Sequence, residues 1–66
     1  MMYKAEVFAG QDADILVASF STPDADSLAR VVSAYTEDTL TREEVEENTG
    51  SFVSLAEHVV DIAKHY

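Results

Sequence analysis

The sequence contains no cysteine among its 66 residues. Disulfide bracing, thiolate metal sites and cysteine nucleophiles are thereby excluded. It also has no apolar run near the ~18 residues that a membrane-spanning helix requires. Its opening, Met1-Met2-Tyr3-Lys4-Ala5-Glu6, lacks the apolar core and small-residue cleavage site of a signal peptide, so a cytoplasmic location is expected. Positive charge is scarce as well. Four Lys and Arg face thirteen Asp and Glu, for a formal net charge of −9. Such a field repels nucleic acid and anionic lipid and attracts basic surfaces, so neither direct nucleic-acid binding nor membrane binding is expected.

What remains suits one small acidic domain over residues 1–66. Hydrophobic residues make up 47% of the chain and recur with clear periodicity, which separates it from acidic disordered segments. A domain this short buries only about 60% of the surface its unfolded chain exposes. Its core must come from Val, Ala, Leu, Ile, Phe and Tyr, with a second copy of the chain as a further source of burial.

Residues 3–9 alternate as a half-buried strand, with Tyr3, Ala5, Val7 and Ala9 on one face and Lys4, Glu6 and Phe8 on the other. Gly10-Gln11-Asp12-Ala13-Asp14 has the composition of a hairpin loop, and 15–20 reads as a second strand. Thr22 then suits a helix N-cap and Pro23 the first helical position. Through about Tyr35 the residues Ala25, Leu28, Ala29, Val31 and Val32 share one arc of a helical wheel. Thr41 with Glu44 forms a capping box, and Leu40 with Val45 is spaced as a hydrophobic staple for a short helix that Asn48-Thr49-Gly50 stops. From Ser51 to Lys64 the apolar residues cover about half of a helical wheel, which predicts a third helix. The expected fold class is α+β, an N-terminal β-hairpin packed on two to three α-helices in the order β-β-α-α-α. Strand pairing between the hairpins of two copies would give a four-stranded sheet, so a homodimer through the hairpin strands is one expected assembly.

The feature with most functional content is the acidic block. Glu37, Asp38, Glu43, Glu44, Glu46 and Glu47 lie within eleven positions that hold one cation, Arg42. On the short helix the four glutamates share one side, and fixed negative charges on a rigid element resemble a nucleic-acid backbone electrostatically. The plain alternative is a solvated face that keeps a small domain soluble, or an adaptation to high salt, for which the low lysine content and many carboxylates are suited. Residues 41–50 followed by an amphipathic segment also resemble the helix-turn-helix of bacterial DNA-binding domains over about 20 residues. The would-be reading helix offers no Arg or Lys to phosphates and no Asn or Gln to base edges, so the resemblance implies at most a degenerate regulator.

Asp61 and His65, with His58 a turn away, would form only an open edge of a metal site on a helix, and no metal or other cofactor is expected. Nothing resembles a nucleophile elbow, a phosphate loop or an HExxH pattern, and an enzyme is not expected. The functional expectation is an acidic protein-binding module, an inhibitor or adaptor that docks on a basic surface of a partner protein. Its sharpest form is an anti-defence inhibitor that mimics nucleic acid. The contact residues expected are Glu37, Asp38, Glu43, Glu44, Glu46 and Glu47, joined by Glu57 and Asp61.

Overall fold

The structure, a computed structural model, describes all residues from Met1 to Tyr66. The elements run β1 (Met2–Ala9), β2 (Ile15–Thr22), α1 (Ala25–Thr36), α2 (Arg42–Glu47), β3 (Ser51–Leu55) and β4 (His58–His65). The strands form one antiparallel sheet in the order β2-β1-β4-β3. The architecture is therefore β-β-α-α-β-β, and the expected β-β-α-α-α order is wrong in its last third.

The error has a local cause. Residues 51–65 satisfy a helical period and a period of two at once, and short apolar runs cannot be assigned by periodicity alone. The β-branched residues Val53, Val59, Val60 and Ile62 fit a pleated surface better than a helix. The turn between the two strands is Ala56-Glu57, with Leu55 opposite His58. Such two-residue turns normally carry Gly, Asn or Asp where φ is positive. Here Ala56 takes φ 52°, so the usual sequence mark of a hairpin is missing. With 51–65 in strands, no second helix follows α2, and the helix-turn-helix resemblance ends at Gly50.

The first half follows the sequence more closely. β1 alternates with Tyr3, Ala5 and Val7 buried. Gly10 opens the β1–β2 loop at φ 99°, where a Cβ would sit 2.7 Å from Asp14 Oδ1. Helix α1 starts two residues later than expected. β2 runs on to Thr22, and the cap is Asp24, whose carboxylate accepts the Ser27 amide proton at 2.7 Å. Helix α2 keeps its expected capping box, with the Thr41 hydroxyl accepting from the Glu44 amide and the Glu44 carboxylate accepting from the Thr41 amide.

Both helices cover the same face of the sheet. Leu28, Ala29 and Val32 of α1, Val45 of α2 and Leu40 between them join Val7, Leu55, Val60 and Ile62 in one buried cluster. Ser33 and Thr36, polar residues of α1, are drawn in as well. The Ser33 hydroxyl accepts the Leu40 amide proton at 2.8 Å, and the buried Thr36 hydroxyl donates to the Val32 carbonyl at 2.9 Å. The opposite face of the sheet carries no element of the chain. Hydrogen bonding of β1 to β4 occupies one edge of the hairpin and leaves β2 as an outer strand of the sheet. No helix is long and apolar enough to cross a membrane.

Candidate interaction surfaces

The expected contact residues fall into two groups on different sides of the molecule. The first is carried by the helical layer. Val45 anchors α2 at 0% exposure, and the capping box fixes its first turn, so Glu43, Glu46 and Glu47 project outward from a positioned element. Glu44 is only half-exposed, because one carboxylate oxygen accepts from both the Thr41 amide and the Thr41 hydroxyl at 3.1 Å. Glu46 pairs with Arg42 at 3.4 Å across one helical turn.

Glu37 and Asp38 follow α1. Glu37 occupies its C-terminal cap at φ 58°, a left-handed conformation usually left to glycine. No basic residue lies in the last turn of α1, so its carboxylate meets the negative end of the helix dipole uncompensated. Asp38 does a structural task. Its Oδ2 accepts the Ala56 amide proton at 2.9 Å, which ties the α1–α2 loop to the β3–β4 turn. That turn also holds the exposed Glu57, so Glu57 joins the helical-layer group at this end of the molecule.

Asp61 does not. It lies on β4, on the sheet face that the helices leave bare, directly opposite Glu6 of β1 and Phe52 of β3. One flat partner cannot touch Asp61 and α2 together. Its expected helical neighbour His65 is four residues along a strand instead, and His58 points to the helical face. There His58 meets the Tyr35 ring edge-on at 6.0 Å, with its Nδ1 buried and without a partner. No group of three or more His, Asp or Glu side chains is placed to hold a metal ion.

The bare face has its own order. Leu16, Phe8 and Val59 form a row across β2, β1 and β4, and the next row holds Ser19, Glu6, Asp61 and Phe52. Leu16 is 51% exposed and Phe52 57%. The alternation of β1 showed that Glu6 and Phe8 share a face. The rest of the pattern was hidden, because a helix over 51–64 leaves Asp61 and Phe52 no fixed relation to β1.

The cations do little to balance this charge. Only two of the thirteen carboxylates meet one, Glu46 through Arg42 and Asp26 through Arg30 at 2.7 Å. Hydrogen bonding to Asp26 holds the Arg30 guanidinium above its ordinary value, and the Ser27 amide holds the Asp24 carboxyl below its own. Lys64 sits over the rings of Tyr3 and Tyr66, and the neighbouring Tyr66 and then Tyr3 side chains push its ammonium up. One open depression of about 410 Å³ lies where α1 and α2 begin, lined by the two arginines together with Asp24, Asp26 and Glu46. No family model matches the chain, and no match was found to a curated protein or a solved structure.

Proposed function

We propose that this domain is a protein-binding module of the cytoplasm, an inhibitor or adaptor that docks on a basic surface of a partner protein. The observation that carries this reading is the charge inventory in three dimensions. Thirteen carboxylates decorate a 66-residue fold, two are neutralised within it, and α2 holds Glu43, Glu46 and Glu47 outward on a capped and anchored turn. Fixed charge of one sign speeds encounter with the opposite sign and discriminates against acidic partners. A basic groove that otherwise holds DNA or RNA is the sharpest form of such a partner. A binding role is favoured over a catalytic one because the carboxylates stand on outward surfaces. A general acid needs a secluded site to hold a proton near neutral pH.

The test is a partner capture from the native host followed by binding kinetics. The quadruple variant Glu43→Gln, Glu44→Gln, Glu46→Gln, Glu47→Gln keeps the Thr41 cap, since a Gln at 44 still accepts from the Thr41 amide. It should associate about tenfold more slowly at low salt and show a weaker salt dependence. Captured partners that are acidic or neutral, or association rates indifferent to salt, refute the reading. In the mimic form, addition of the chain displaces duplex from the partner.

A further inference from the structure

The sheet face that the helices leave bare carries an arrangement the fold itself does not use. Glu6 and Asp61 stand directly opposite each other on neighbouring strands, and neither is in an ion pair or a side-chain hydrogen bond. Like charges in that relation destabilise an antiparallel pair. A neutral residue at either position would serve the sheet better. Beside them lies the apolar row of Leu16, Phe8 and Val59, which crosses three strands and at strand spacing runs ~10 Å, the length of about two helical turns. The acidic row is two residues further along the strands, roughly 7 Å away, and ends in the exposed ring of Phe52.

We propose that this face is the docking surface for an amphipathic, basic helix of a partner protein. The helix lies across the strands over Leu16, Phe8 and Val59, and its flanking Lys or Arg side chains reach Glu6 and Asp61. The proposal rests on the basic-partner reading above and assigns the close contact to the sheet, leaving α2 the long-range attraction. A second copy of the chain fits poorly, because two molecules of net charge −9 repel each other.

The test is an amide-resolved NMR titration of the full chain with a synthetic Leu/Lys amphipathic helix, beside a Lys-only peptide and a Leu/Glu helix. The expected result is shifts centred on Phe8, Leu16, Phe52 and Val59, with the Leu/Lys peptide about tenfold tighter than the Lys-only one and no binding of the Leu/Glu helix. The double variant Glu6→Gln, Asp61→Asn should fold at least as well as the parent and bind about tenfold more weakly through faster dissociation. Leu16→Ser, at an exposed position, should weaken only the Leu/Lys peptide. Shifts centred on α2, or unchanged affinity of the double variant, overturn the assignment to the sheet while the basic-partner reading stands. Absence of binding by either cationic peptide sinks both. Shifts of the bare face on concentrating the chain alone identify a second copy as the occupant and also overturn the proposal.

Discussion

Asp38 accepts two amide protons at 2.9 Å, from Thr39 through Oδ1 and from Ala56 through Oδ2. Sequence marks it only as one carboxylate in an acidic block, and its value to the fold depends on a turn eighteen residues away. A charge-assisted hydrogen bond of this kind on an exposed loop contributes about 1 kcal/mol. Asp38→Ala should lower stability by about that amount, seen as a lower urea midpoint at unchanged slope, whereas Glu37→Ala should leave that contact intact. If Asp38→Ala is neutral, the loop-to-turn contact is not part of the folded state in solution. Of the eight expected contact residues, Asp38 and Glu44 are thus partly spent on structure. Glu43, Glu47 and Glu57 have neither an ion pair nor a side-chain hydrogen bond.

At the scale of elements, what could be read from the chain was what local chemistry fixes. The Thr41–Glu44 box, the Val45 anchor and the stop at Gly50 define α2 from a dozen residues, because caps and staples act within one turn. The alternation of β1 was equally plain. The β3–β4 hairpin was not, since Val53, Val59, Val60 and Ile62 satisfy both periods and Ala56 stands where a turn glycine would have settled the matter. The same position yields a prediction. A left-handed alanine costs roughly 1–2 kcal/mol, part of which a glycine returns as unfolded-state entropy. Ala56→Gly should therefore raise stability by about 0.5–1 kcal/mol, measured as a higher urea midpoint. A loss instead would mean that the hairpin turns elsewhere in solution.

At the scale of the whole molecule, charge and edges have to be considered together. Both outer strands, β2 and β3, lack any Asp, Glu, Lys or Arg. Uncharged edges invite pairing with another chain, and proteins commonly guard them with lysine or proline. Here the bulge between Val7 and Phe8 interrupts the β2 ladder, and the net charge of −9 keeps copies apart at a distance. That protection depends on salt, because the screening length falls from about 10 Å at 0.1 M to about 3 Å at 1 M. Raising sodium chloride to about 1 M should lift the melting temperature modestly by relieving repulsion among carboxylates, and should promote association through β2 that Val17→Lys suppresses. Thermal melts and sedimentation across the same salt series measure both. A domain whose acidity serves a partner is already folded in dilute buffer and gains little from salt. A chain unfolded at about 0.05 M and folded only near molar salt would assign its carboxylates to solvation in a saline cell, and the docking surfaces would lose their electrostatic rationale.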